Sequence, residues 1–102
     1  MSFKQSLAEA IAQEMRLRIL QQLEEQADRQ LSIVALKRVL DAFGYRRDRD
    51  WIETQLRKLE ALGAVSIAST GGVVIARIEQ PGRDHIEERS LLAGVMKPRD
   101  VE

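Results

Sequence analysis

The sequence predicts a single α+β domain, mainly helical, in which three helices precede a β-hairpin and a short fourth helix. Three observations support this prediction. Apolar residues recur every three or four positions over most of residues 3–63, an alternation with period two follows, and glycine or proline marks most of the boundaries. With 102 residues, of which 44% are hydrophobic, the chain can build one modest core.

The first helix is predicted over residues 3–26, a stretch without glycine or proline. Its apolar face shifts near residues 13–16, so two interpretations stay open. The segment is either one long helix or an N-terminal arm, about residues 1–14, followed by a core helix. Its apolar residues are Phe3, Leu7, Ala10, Ile11, Leu17, Leu20 and Leu23.

The second helix is predicted from an N-cap at Ser32 to about Phe43, and Gly44 supplies the C-terminal stop. Its apolar set is Val34, Leu36, Val39, Leu40 and Phe43.

The third helix is predicted to begin near Asp48 or Asp50 and to end at Gly63. Asp50 and Glu53 have the spacing of a capping box. On a helical wheel one narrow apolar stripe is formed by Ile52, Leu56 and Leu59. The residues on the opposite side are Asp50, Thr54, Arg57 and Ala61.

A β-hairpin is predicted after the third helix. Residues 64–69 alternate in polarity, residues 73–78 are rich in β-branched side chains, and Gly71 and Gly72 between them suit a tight turn.

The C-terminal part is predicted to be less regular. Residues 80–82, which contain a Pro-Gly pair, are expected to end the strand, and residues 83–90 to form a short helix. Residues 91–102 are predicted to be a partly ordered tail.

This order of elements is that of the winged helix, in which the second and third helices form a helix-turn-helix and the hairpin is the wing. The alternative is a generic three-helix bundle with an added hairpin. We predict a winged-helix domain over residues 1–90, with a long N-terminal helix and a short C-terminal one. The predicted core consists of Leu20, Leu23, Leu36, Val39, Leu40, Ile52, Leu56, Leu59, Leu62, Val65 and Ile67.

Five stretches of the chain carry a resemblance to known proteins, namely residues 16–23, 39–45, 56–65, 71–76 and 94–98. They resemble a family of small winged-helix proteins of Mu-like prophages, which are similar to arsenic-repressor-type regulators. The resemblance implies a winged-helix fold over nearly the whole chain. Metal sensing is not implied, because the metal-sensing relatives use cysteines and this chain has none.

Charge and composition restrict the function. Lysine plus arginine (16) balances aspartate plus glutamate (16), so any binding of nucleic acid depends on a local patch. The absence of cysteine removes disulfides and thiolate chemistry. With no signal-peptide pattern and no apolar stretch long enough to span a bilayer, we expect a soluble, cytoplasmic protein. We also expect no cofactor, no metal and no evident small-molecule substrate.

The first functional hypothesis is a transcription regulator that binds double-stranded DNA. The third helix would enter the major groove with Thr54, Arg57 and Lys58 on its exposed side, and Arg57 would read a base edge. The charge surplus is small, since residues 31–63 hold seven basic and five acidic side chains. The remaining expected contacts are Arg46, Arg47 and Arg49 with phosphates, Lys37 with the DNA backbone, Trp51 with a sugar or a dimer partner, and Thr70 at the wing tip.

The second hypothesis is a protein-interaction or dimerisation adaptor that does not bind DNA. It depends on an N-terminal segment longer than a core helix needs, in which Phe3, Leu7 and Ile11 lack an obvious partner within the domain. We therefore expect a homodimer that forms through these three residues.

The third hypothesis, an enzyme, finds little support. His85 is the only histidine, and with Glu88 it would supply two metal ligands where a structural site needs four. We expect His85 to be a solvated surface residue. No phosphate-cradling glycine loop precedes a helix.

Overall fold

The computed structural model describes residues 3–100 and confirms an α+β fold that is mainly helical. The fold consists of four helices and one three-stranded antiparallel sheet. In chain order the elements are α1 (Phe3–Glu25), β1 (Gln30–Ser32), α2 (Ile33–Ala42), α3 (Arg49–Ala61), β2 (Val65–Thr70), β3 (Val73–Ile78), α4 (Gln80–Ile86) and a 3₁₀ turn (Pro98–Asp100).

Helix α1 is one continuous helix of 23 residues, which decides between the two interpretations of the N-terminal segment. Its second half lies in the core. In the first half, residues 6–10 are exposed, so the helix extends beyond the body of the domain. The buried apolar residues of α1 are Ala12, Met15, Leu17, Ile19, Leu20 and Leu23.

Strand β1 was not predicted from the sequence. It pairs antiparallel with β3, so that Leu31 lies opposite Ala76. Strand β3 also pairs with β2 along its whole length and is therefore the central strand, in the order β1-β3-β2. A strand of three residues is too short to display a period-two pattern, and its partner lies far away in the sequence.

The starts of α2 and α3 are fixed by side-chain caps. The Ser32 hydroxyl accepts a hydrogen bond from the Ala35 N–H at 3.1 Å, as the sequence predicted. The Asp48 carboxylate accepts one from the Trp51 N–H at 2.8 Å. Asp48 is therefore the N-cap of α3, and the predicted capping box at Asp50 is wrong because Asp50 already lies in the first turn.

Helix α4 begins earlier than predicted, at Gln80 instead of residue 83. Pro81 lies in its first turn, where no helical hydrogen bond needs a backbone N–H, so proline starts this helix and does not merely end the strand. Gly82 is buried, and a Cβ atom at this position would lie 2.6 Å from the Ala64 carbonyl oxygen. Only glycine allows α4 to approach the start of the hairpin so closely.

Most of the predicted core is confirmed. Leu62 is an exception: it is 37% exposed because it is the C-cap of α3 and lies beyond the last buried turn. Val39 and Ile67 are only partly buried. Phe43, predicted on the apolar face of α2, is 63% exposed at that helix's C-cap. The confirmed residues are Leu20, Leu23, Leu36, Leu40, Ile52, Leu56, Leu59 and Val65.

The expectation of a solvated His85 is wrong, because its side chain is completely buried. Its Nδ1 accepts a hydrogen bond from the Leu92 N–H at 2.9 Å, which places the ring proton on Nε2. Nε2 then donates to the Met96 carbonyl oxygen at 2.8 Å. With both nitrogens bonded to the main chain, His85 is not free to join Glu88 as a metal ligand.

The segment after α4, predicted as a partly ordered tail, packs against the domain in its described part. Val95 is in the core, and the Met96 N–H donates a hydrogen bond to the Gln13 carbonyl oxygen of α1 at 3.2 Å. Residues 91–97 therefore connect α4 to α1. Across residues 3–100, no helix combines the length and apolarity that crossing a membrane requires.

Arg16 of α1 is a buried cation that joins three parts of the fold. Its Nε donates to the Gln55 Oε1 of α3 at 2.8 Å, and its Nη1 donates to the Gly94 carbonyl oxygen at 2.7 Å. The same Nη1 lies 3.3 Å from the Glu9 carboxylate. These partners offset the cost of burying a guanidinium.

Candidate nucleic-acid interface

The outward face of α3 carries the polar residues that the helical wheel placed there. Ile52, Leu56 and Leu59 are fully buried, so the opposite side of the helix faces solvent. The exposed residues of this face are Asp50, Thr54, Arg57, Lys58, Glu60 and Ala61. The side that a major groove would meet is thus available, but it contains carboxylates as well as cations.

Arg57 is held by two carboxylates of its own helix. Its guanidinium lies 3.6 Å from the Glu53 carboxylate and 3.4 Å from the Glu60 carboxylate. Arg57 and Glu60 are exposed and Glu53 is partly exposed, and such surface pairs contribute about 0–1 kcal/mol each. Arg57 can therefore exchange these partners for a base edge at small cost, although the neighbouring carboxylates repel phosphates.

Three arginines lie next to one another at the start of α3. Arg46 and Arg47 belong to the connection between α2 and α3, and Arg49 is the first residue of α3. All three are exposed, and within the described part of the chain none has an ion-pair partner. The three predicted phosphate contacts are thus exposed neighbours along the chain, with Asp48 and Asp50 on either side of Arg49. We refer to Arg46, Arg47 and Arg49 as the cationic cluster.

Trp51 supports this cluster. The Arg47 guanidinium carbon lies 4.9 Å from the centroid of the Trp51 ring, which is a cation–π distance. The ring itself is half-buried and packs against the core. Trp51 therefore orients Arg47, a role that the sequence did not reveal.

The other predicted DNA contacts lie apart from this cluster. Lys37 on α2 forms an ion pair with Asp41 at 3.0 Å. Thr70 is exposed at the end of β2, where Gly71 and Gly72 make the turn with positive φ angles of 57° and 80°. The hairpin tip, residues 69–74, contains no charged side chain.

The three predicted dimerisation residues differ in exposure. Phe3 is 81% exposed and Leu7 is 49% exposed, which leaves both free for a partner. Ile11 packs against the core and is only partly buried. Phe3 and Leu7 form the exposed apolar end of α1.

A groove of about 360 Å³ lies between α1 and the α2–α3 connection. Its wall includes Tyr45, whose hydroxyl donates to the Glu14 carboxylate at 2.8 Å and accepts from the Arg18 Nε at 3.0 Å. Burial, followed by the hydrogen bond to Glu14, raises the pKa of Tyr45 above its ordinary value. The sequence did not predict this groove; the one local sign was an aromatic residue beside two arginines.

Comparisons of the chain with protein-family models, curated proteins and solved structures find no match. The resemblance to winged-helix proteins of Mu-like prophages therefore stays a prediction. Within residues 3–100 no three histidine, aspartate or glutamate side chains are grouped in a way that could hold a metal ion.

Proposed function

We propose that this protein is a winged-helix regulator that binds double-stranded DNA and has no catalytic activity. The observation that supports the proposal best is the cationic cluster of Arg46, Arg47 and Arg49, which lies at one end of the outward-facing helix α3. Arginine binds phosphate bidentately, so the cluster can fix the start of α3 against a DNA backbone.

The topology supports the winged-helix assignment. Helices α2 and α3 are consecutive and packed together, as in a helix-turn-helix, and the β2–β3 hairpin follows α3 directly. In addition, β1 joins the hairpin through β3 and so attaches the wing to the helical part. The α2–α3 connection, residues 43–48, is longer than the three or four residues of a simple helix-turn-helix.

In the proposed complex α3 lies in the major groove. Arg57 leaves Glu53 and Glu60 to reach a base edge, and Thr54 and Lys58 flank it. The wing tip contributes Thr70 and backbone amides only. Because few phosphates are neutralised per monomer and carboxylates lie nearby, the affinity is modest, and it falls with salt only in proportion to that small number of phosphates.

The proposal is tested by fluorescence anisotropy with a labelled duplex. Arg47→Gln weakens binding to all sequences and makes the salt dependence shallower by about one unit. Asp50→Asn strengthens non-specific binding, because it removes a carboxylate near the DNA backbone. Arg99→Gln is the matched control, since Arg99 is an exposed arginine that pairs with Glu88 at 3.2 Å, outside the proposed interface. Equal affinities of the wild type and the three variants for the duplex would contradict the proposal.

Specific recognition is tested with Arg57→Ala on a duplex selected from a random library. The variant loses about 1–3 kcal/mol on the selected site and loses sequence preference, as expected for a residue that reads a base. If the sequence preference of the variant equals that of the wild type, Arg57 does not read a base.

The second candidate function, a dimerisation or adaptor module, is favoured by the exposure of Phe3 and Leu7. We propose that the partner is a second copy of this chain. The double substitution of Phe3→Ser and Leu7→Ser converts a dimer to a monomer in light scattering and leaves the circular dichroism spectrum unchanged. A wild-type protein that is monomeric at high micromolar concentration would refute this homodimer.

A further inference from the structure

The groove between α1 and the α2–α3 connection has an apolar floor. Met15 is almost completely buried beneath it, and Ile11 and the Tyr45 ring form its sides. Its volume, about 360 Å³, lies within the range of small-molecule sites. The floor can therefore accept an apolar group of several carbon atoms.

The groove has a net positive charge in its lining, from two arginines and one glutamate. Arg46 and Arg47 line it, and neither has an ion-pair partner among the described residues. The one carboxylate in the lining, Glu14, accepts a hydrogen bond from the Tyr45 hydroxyl at 2.8 Å. The Arg18 Nε donates to the same hydroxyl oxygen at 3.0 Å, which places a further cation beside Tyr45.

We propose that this groove binds a small organic anion with an apolar body, such as an aliphatic carboxylate. The apolar body lies against Ile11 and Met15, and the carboxylate pairs with Arg46 and Arg47. Burial of the apolar part supplies most of the affinity, and the charge-assisted hydrogen bonds orient the ligand.

Such a ligand also regulates DNA binding, because it uses two of the three arginines of the cationic cluster. While the anion occupies the groove, Arg46 and Arg47 are not available to DNA phosphates. This regulatory step rests on the proposed function, whereas binding of the anion does not. The ligand is thus expected to act as an effector that releases DNA.

Trp51 provides a built-in reporter. It is the only tryptophan, and Arg47 lies over its ring at 4.9 Å. Titration of the protein with decanoate, kept below its aggregation concentration, is expected to change the Trp51 emission saturably. Decanol has the apolar body without the charge, and acetate has the charge without the body; both are expected to bind at least tenfold more weakly than decanoate.

Two variants separate the groove from general surface charge, with calorimetry as the second readout. Arg46→Gln weakens decanoate binding at least tenfold and leaves the contact between Arg47 and Trp51 in place. Arg49→Gln is the matched control, since Arg49 belongs to the same cluster but does not line the groove, and its affinity for decanoate stays that of the wild type. The proposal is overturned if decanoate does not bind at millimolar concentration, if decanol binds equally well, or if Arg46→Gln has no effect.

A labelled duplex then distinguishes this proposal from the proposed function. If decanoate binds through Arg46 and also displaces the duplex, both the groove proposal and the proposed DNA binding are supported. If decanoate binds but no duplex does, the groove stands and DNA binding fails. If the duplex binds and decanoate does not, the groove proposal alone fails.

Discussion

Replacing His85 with phenylalanine keeps a planar ring in the same buried position but removes both of its hydrogen bonds. The Leu92 N–H and the Met96 carbonyl oxygen then lose their partner. An unpaired buried polar group costs about 1–3 kcal/mol. Because Leu92 and Met96 are themselves half-buried and water can reach them in part, we expect a total near the lower limit, about 2–3 kcal/mol.

For a domain of this size each kcal/mol lowers Tm by several degrees, so the Tm of His85→Phe falls by about 10–20 °C. Calorimetry measures this decrease, and hydrogen exchange measures faster exchange of the Leu92 amide. Ser90→Ala, at an exposed position in the same segment, is the control and leaves both quantities unchanged. A Tm for His85→Phe equal to that of the wild type, with a protected Leu92 amide, would refute the role assigned to His85.

Three further predictions concern the core and N-cap of α3, and Tyr45 beside the groove. Leu56→Ala removes a fully buried side chain and costs about 2–5 kcal/mol in urea denaturation; a cost near zero would mean that the buried face of α3 is assigned wrongly. Asp48→Ala removes the N-cap of α3 and costs about 0.5–2 kcal/mol in the same assay, whereas an unchanged stability would deny the cap. The pKa of Tyr45 is raised in the folded state, by burial and then by Glu14. The associated contribution to folding stability is complete below the unfolded-state pKa and is lost as pH rises through the folded-state pKa. Titration of Tyr45 by ultraviolet absorbance measures the folded-state pKa, and an ordinary or lowered value would contradict this prediction.

Elements that depend on local interactions were predictable from the sequence. The Ser32 cap, the apolar stripe of α3 and the turn at Gly71 and Gly72 each depend on residues within a few positions of one another. Capping, helical periodicity and the positive φ of glycine act over that range, so a sequence pattern records them.

Features that depend on distant contacts were missed or predicted wrongly. Strand β1 exists because it pairs with β3, which is more than forty residues away in the sequence. Arg16 is buried because Gln55 and the Gly94 carbonyl oxygen accept its hydrogen bonds. His85 is buried because main-chain atoms of residues 92 and 96 satisfy its ring. Arginine is usually exposed and histidine is rarely buried completely, so residue type alone does not predict the burial of Arg16 and His85.

The candidate site was predictable in part. Arg46, Arg47 and Arg49 are neighbours in the sequence, and the spacing of Glu53 and Arg57 already allows an ion pair on one helix face. The groove was not predictable, because packing between α1 and the α2–α3 connection creates it. Phe43, which the periodicity of α2 assigned to the buried face, is exposed because the helix ends at this residue.

The salt dependence of duplex binding by the wild-type protein tests the central claim most directly. If the cationic cluster of Arg46, Arg47 and Arg49 contacts three phosphates, the logarithm of the association constant falls with the logarithm of salt concentration with a slope of about −3. A random-sequence duplex suffices, because these contacts do not read bases. We predict measurable binding at low salt and this slope. Failure to bind any duplex at about 50 mM salt, where electrostatic attraction is only weakly screened, would contradict the claim that this protein binds DNA.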